Sequence, residues 1–326
     1  AGMYRCMVAV ESASPRIQKV MMKNLKGRLA DEWDFDMLWC THDGPVDWSK
    51  KRHTDMGHAV YAADGSDRRE PVPSPFTDVE EIYSFDPAVE YSGPGHRELV
   101  RHYEDWYLKA QADNPGQVIT GGYYKTVVSG ALQSFGWDML LLAAADRDRF
   151  ARVVERFANY TMSYALAWAE TSIEAYIQHD DMVWTAGPFM HPDFYRGVIF
   201  PQYRRMWEPL KKAGKKILFC SDGRWDMFME DIAACGADGF IFEPSNDLDY
   251  VARRFGRTHC IVGSKMDCRT MAFGTWAQVK AEMDATFALA RRCPGFMWAV
   301  GNHIPANVPD EMCIRYIDYL RANWSR

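Results

Sequence analysis

The sequence predicts an α/β protein built as a closed (β/α)8 barrel of the TIM type. Three observations carry that expectation. Eight short apolar runs recur along the chain, each with the length of a strand. Nearly all are followed by stretches of helical periodicity, and apolar strands separated by helices imply a parallel sheet covered on both faces. The runs also end in clusters of polar residues, as strand ends do at the mouth of a parallel barrel. No GxGxxG or GxxxxGK(S/T) follows any run, so the nucleotide-binding open sheets lose their main support.

The first strand is expected over residues 4–10, followed by a helix over 15–29 whose apolar positions Ile17, Val20, Met21, Leu25 and Leu29 form one stripe. Residues 36–40 are the second strand and run into Thr41-His42-Asp43-Gly44-Pro45. From about 46 to 115 the alternation lapses. An irregular hairpin is expected over 57–65, three prolines between Glu70 and Phe76 forbid regular pairing, and 77–81 reads as an N-capped short helix. A longer helix follows over 95–112. This segment reads as an elaboration laid over the scaffold, inside one domain spanning 1–326.

Regularity returns with a strand over 117–120, ending in Gly121-Gly122-Tyr123-Tyr124-Lys125, and helices over 126–145 and 147–171. The strand 173–178 ends in His179-Asp180-Asp181. The helix 191–213 has Pro192 early and Gly214 just past its end, the usual asymmetry. Next comes the most informative stretch, Ile217-Leu218-Phe219-Cys220-Ser221-Asp222-Gly223, a buried strand that ends in three potential chemical groups. A helix over 225–235 stops at Gly236. Strand 239–242 ends at Glu243-Pro244 and precedes a helix over 247–255. Strand 259–263 ends in Ser264-Lys265-Met266-Asp267 and precedes a helix over 275–292. Strand 295–300 ends in Gly301-Asn302-His303, and the last helix runs over 309–324.

Composition narrows the function. A net charge of −6, with no basic tract, argues against a nucleic-acid binder. No apolar run reaches the roughly 18 to 20 residues that span a bilayer. The eight cysteines are scattered with no CxxC pair, which argues against a zinc ribbon or thioredoxin-type motif. A reduced, cytoplasmic protein with no secretory leader is expected.

In such a barrel the strand ends converge on one mouth. It would hold His42, Tyr123 and Tyr124, Asp180 and Asp181, Cys220 and Asp222, Glu243, Lys265, Asn302 and His303. A thiol, an imidazole and carboxylates together suit a divalent metal, with Cys220 and His303 as ligands; the alternative is a polar rim whose groups bond one another and solvent. Of Asp180 and Asp181, one reads as functional and one as structural. Lys265 could face a substrate anion or pair with Asp267 or Glu243.

Short anchors in a fixed order resemble the uroporphyrinogen decarboxylase-like superfamily, and within it the zinc- and corrinoid-dependent methyltransferase branch that includes O-demethylases. They are Pro75 to Glu81, Asp180-Asp181, Gly187-Pro188-Phe189 with His191-Pro192, and Lys211 to Lys215. Gly236-Ala237-Asp238-Gly239, Glu243-Pro244, Gly263 with Asp267, Gly274-Thr275 and Asn302 to Pro309 continue the series. The resemblance implies a TIM barrel. It also implies a methyltransferase that moves a methyl group from a small, methoxylated aromatic substrate to the cobalt of a corrinoid protein docked at the strand-end face. Zinc would act as the Lewis acid. The branch's His-x-Cys-Gly reads Cys220-Ser221-Asp222-Gly223 here, and its Gly-Cys-Gly reads Gly301-Asn302-His303, so the resemblance implies a rearranged metal set of Cys220, Asp222 and His303. Asp181 and His303 are then the catalytic pair, with His42, Tyr123, Tyr124, Asp180, Glu243, Lys265 and Asn302 binding substrate. The alternative is a metal-independent decarboxylase or lyase acting on a small carboxylate, held by Lys265 and Arg224. No arginine follows the first strand before Arg16, which disfavours a tetrapyrrole substrate.

Overall fold

Among the described residues there are nine short strands, all paired in parallel, in two ladders that surround a common interior. A computed structural model of the chain describes residues 4–5, 15–22, 28–57, 72–301 and 303–324. The strands are β1 (Tyr4–Arg5), β2 (Met37–Leu38), β3 (Val118–Ile119), β4 (Gly121–Tyr123), β5 (Ala175–His179), β6 (Lys216–Ser221), β7 (Gly239–Phe242), β8 (Cys260–Gly263) and β9 (Phe296–Trp298). One ladder runs β1-β9-β8-β7-β6-β5-β4 and a second joins β2 to β3. Thr120 alone separates β3 from β4. Its hydroxyl donates to the Cys40 carbonyl and accepts from the Cys40 N–H, so β3 and β4 act as one strand that changes neighbour midway.

The α/β class and the TIM-type arrangement follow from the sequence as expected, and the described strands lie in or overlap the apolar runs read as strands, except β4, which falls at Gly121–Tyr123, just past the strand expected over 117–120. The expected strand over 4–10 is described only at Tyr4–Arg5, and the hairpin over 57–65 lies almost entirely outside the described residues. Several helices differ from expectation. The stretch expected as one helix over 15–29 has a helix at Pro15–Met21 and a separate one at Leu29–Glu32, entered through an extended Arg28. The helix expected over 191–213 is interrupted by a π-helical turn, Tyr195–Ile199, ahead of Phe200–Lys212. A short helix, Cys268–Phe273, capped by the Asp267 carboxylate on the Arg269 N–H, occupies what read as a loop.

Side chains alternate along a strand with a period of two, and here the alternation divides two cores. Met37, Ile177, Leu218, Cys220, Ile241, Val262 and Ala299 meet inside the barrel. The opposite parity, among them Tyr123, Tyr176, Phe219, Phe240 and Ile261, packs outward under the helices. That outer core is continuous with Trp48, Phe85, Tyr91 and Tyr103 from the segment between β2 and β3. The helix Val127–Ala144 is long and apolar enough to cross a membrane by length and composition, but 67% of that window is buried inside the fold. Gly136, at φ 72°, kinks it.

Candidate active site

The ends of β5 and β6 set the site. His179 and Asp181 share the inward parity of Ile177, and Asp222 follows Leu218 and Cys220 on the adjacent strand. His179 Nε2 lies 3.1 Å from Asp181 Oδ1, which also accepts the Asp222 backbone N–H at 2.9 Å. The Tyr124 hydroxyl donates to Asp181 Oδ2 at 2.8 Å. The Tyr124 ring stacks on the His179 imidazole at 4.1 Å and 29°, while Trp39 meets that imidazole edge-on at 5.4 Å. Asp43 accepts the Tyr124 N–H at 2.9 Å and pairs with Lys125, which ties the end of β2 to this wall.

The electrostatics follow from burial and these contacts. Burial alone would raise the Asp181 carboxyl, but His179, the Asp222 N–H and Tyr124 outweigh it and hold the group below its ordinary value. Burial alone would lower His179, yet Cys220 and Asp181 outweigh it and hold the imidazole above its ordinary value. The Cys220 thiol is raised, chiefly by burial.

Gly223 turns the chain away from β6 at φ +76°, and its N–H donates to Glu243 Oε2 at 2.7 Å. A Cβ there would sit 2.6 Å from the Trp184 carbonyl oxygen. Gly223→Ala is therefore expected to cost about 1–2 kcal/mol in backbone strain, with the clash added. It would also shift Asp222 and Glu243 together. A drop in Tm with a parallel loss of activity would bear this out; an unchanged Tm would show that the turn can adapt.

Past Glu243 a cleft of about 460 Å³ opens, lined by Glu243, Asp267, Cys268, Arg269, Phe273 and His303 among others. His303 is lowered from its ordinary value by burial, against the pull of Glu243. The cleft and the His179–Asp181–Asp222 cluster adjoin through the Gly223–Glu243 hydrogen bond.

Several expected site residues turn out to face elsewhere, and four share one reason: they have the outward parity. His42 packs on His102, Tyr103 and Trp106. Its Nδ1 accepts the Gly44 N–H at 3.0 Å, so Nε2 carries the proton and donates to His102 Nε2 at 3.2 Å. Tyr123 is fully buried and stacks on Tyr164 at 4.3 Å. Asp180 is fully buried and anchors the helix Val127–Ala144. Its carboxylate accepts the N–H groups of Val128 and Ser129 at 2.9 and 2.6 Å and the Tyr203 hydroxyl at 2.5 Å. Burial pushes that carboxyl up to about 6, although Tyr203 and the Ser129 N–H pull it down. Lys265 pairs with Asp249 on the helix Leu248–Phe255, not with Asp267 or Glu243.

The expected metal set also needs correction. Among the described residues, the one group of three His, Cys, Asp or Glu side chains whose ligand atoms lie within 4.8 Å of one another is His179, Asp181 and Asp222. Cys220 points into the barrel interior, and His303 lines the cleft, so Cys220, Asp222 and His303 do not assemble. Asn302 lies outside the described residues. His179 escaped the sequence reading. The signal was available: Ile177, His179 and Asp181 alternate on one face, which separates Asp181 from Asp180.

The model of the family described as uroporphyrinogen decarboxylase (URO-D) matches residues 128–322, more than half of the chain. The chain belongs to the URO-D family. The match includes His179, Asp181, Asp222, Glu243 and His303, while Trp39, Asp43 and Tyr124 precede it. A curated relative, the uroporphyrinogen decarboxylase of Salinispora tropica, is 24% identical over 170 residues, which cover 52% of this chain and 44% of that protein. The match thus spans less than half the length of that relative. Among solved structures, a methyltransferase from Methanosarcina mazei aligns over 98% of this chain and 94% of its own, with TM-score 0.59 and 14% identity. That likeness is one of fold. In this URO-D family member the two carboxylates and the imidazole at the ends of β5 and β6 form a compact, partly buried acid–base cluster beside an open cleft.

Proposed function

We propose that this protein is a cytoplasmic methyltransferase that takes a methyl group from a small methoxylated aromatic substrate and passes it to the cobalt of a corrinoid on a partner protein. The observation that carries the reading is the make-up of the mouth. It joins His179, Asp181 and Asp222 to the aromatic surfaces of Tyr124 and Trp39, next to a cleft open enough to admit a second reactant. The URO-D family and the Methanosarcina neighbour are compatible with methyl transfer. Zinc bound in the mouth would supply a Lewis acid for the oxygen that loses its methyl group.

The chain's own residues have separable tasks. Tyr124 and Trp39 offer flat faces against which a methoxylated ring can lie. Breaking the methyl–oxygen bond leaves an anionic oxygen that must take up a proton. His303, which lines the cleft with Glu243, would return it, and Asp181 would position the groups around the reacting oxygen.

Decarboxylation of a small carboxylate is the weaker reading, because the cations it needs are engaged elsewhere. Arg224 pairs with Asp226, Lys265 with Asp249, Arg269 with Asp267 and Lys125 with Asp43. The test uses free cob(I)alamin and a panel of methoxylated benzoates, followed by loss of the cob(I)alamin absorption and by mass spectrometry of the phenol. Demethylated phenol, formed only with both reactants present, is the expected result. Carbon dioxide release from the same panel without methyl loss would replace the reading with decarboxylation.

A further inference from the structure

The geometry points to a metal centre formed by His179 Nε2 and carboxylate oxygens of Asp181 and Asp222, an all-nitrogen-and-oxygen set with no thiolate. This deepens the proposed function and rests on its placing of the reaction at the strand-end mouth. The three ligand atoms lie within 4.8 Å of one another, and Nε2 and Oδ1 are 3.1 Å apart. Ligands roughly 2.1 Å from a tetrahedral zinc are separated by about 3.4 Å, so small side-chain adjustments close the set. A proton on Nε2 facing Asp181 would compete with the cation for this position. Metal binding would release that proton, leaving Nε2 a lone pair to donate.

The surroundings support a held ligand set and not a chance meeting of acids. The buried His179 imidazole is held by Asp181, 3.1 Å from its Nε2, and by the neighbouring Cys220 thiol. Its ring is fixed between Tyr124 and Trp39. Asp181 is oriented from outside by the Tyr124 hydroxyl on its second oxygen and by the Ser129 hydroxyl, which accepts its backbone N–H at 2.7 Å. Such outer partners set ligand direction in metal sites. Asp222 is held by its own N–H on Asp181 and by the Gly223 turn. Three protein ligands leave at least one position for a substrate atom, and a hard imidazole–carboxylate set favours an oxygen there.

Titration of the purified protein with Zn²⁺, followed by calorimetry, and with Co²⁺, followed by its visible spectrum, tests the assignment. One ion per chain is expected, with no thiolate-to-cobalt charge-transfer band. His179→Gln and Asp222→Asn should each weaken binding by about 100-fold or more, with circular dichroism confirming that they fold. Cys220→Ala and His303→Ala should change the affinity little. A charge-transfer band that Cys220→Ala removes, or loss of the ion in His303→Ala, would overturn this ligand set while leaving metal-assisted methyl transfer standing. No binding by the parent would overturn the centre outright, and the cob(I)alamin assay would then show separately whether demethylation proceeds.

Discussion

Asp181→Asn is expected to lower kcat/KM for the proposed demethylation by about 10³-fold while leaving the protein folded. The amide has the same shape as the carboxylate. It can still accept the Asp222 N–H, but it removes the charge facing His179 and conflicts with the Tyr124 hydroxyl on the other side. The loss should fall mainly on kcat, because Asp181 lies at 9% exposure and offers little surface for ground-state binding of substrate. Steady-state kinetics with far-UV circular dichroism read both quantities. Turnover within a factor of about three of the parent would remove Asp181 from the reaction and shift attention to the Glu243–His303 side of the cleft.

Asp180→Ala should do the opposite, unfolding the protein well before any effect on chemistry can be read. Three donors converge on that buried carboxylate: two backbone N–H groups at the start of the helix Val127–Ala144 and the Tyr203 hydroxyl. Its removal strands all three in a dry interior and takes a negative charge from a helix N-terminus, a combined cost of about 3–5 kcal/mol. Thermal unfolding should show a fall in Tm on the order of 10 °C. A Tm within a degree or two of the parent would mean that water or Ser129 takes over the donors. The adjacent pair Asp180 and Asp181 would thus separate cleanly, one reporting on stability and the other on turnover.

The neighbouring aspartates also show how far the sequence could be read. Runs such as Ile217-Leu218-Phe219-Cys220 and Ile261-Val262-Gly263 announce buried parallel strands, since both faces of the sheet must be covered by helices. Polar ends on those runs place the chemistry at one mouth. Those features are local, and the class of fold and the end of the barrel that carries the site follow from them. Which polar residue faces the mouth is harder to read from composition at the strand ends, because neighbours in sequence point in opposite directions. Parity explains the placing of His42, Tyr123, Asp180 and Lys265 outside the mouth and of His179 within it.

The partners across the barrel were beyond local reading altogether. That Asp222 on β6 closes on His179 and Asp181 of β5 depends on the register His179↔Cys220 between the two strands. That Lys265 is taken by Asp249, and Arg269 by Asp267, depends on where the following helices begin. The sequence by itself determined the parallel α/β barrel, the URO-D-like anchors and the face on which reaction can occur, because each is written in stretches of a few residues. Only the tertiary structure decided which imidazole joins which carboxylates. A site of this kind is assembled from strands dozens of residues apart, and a shift of one residue in register would turn every one of those side chains to the other face.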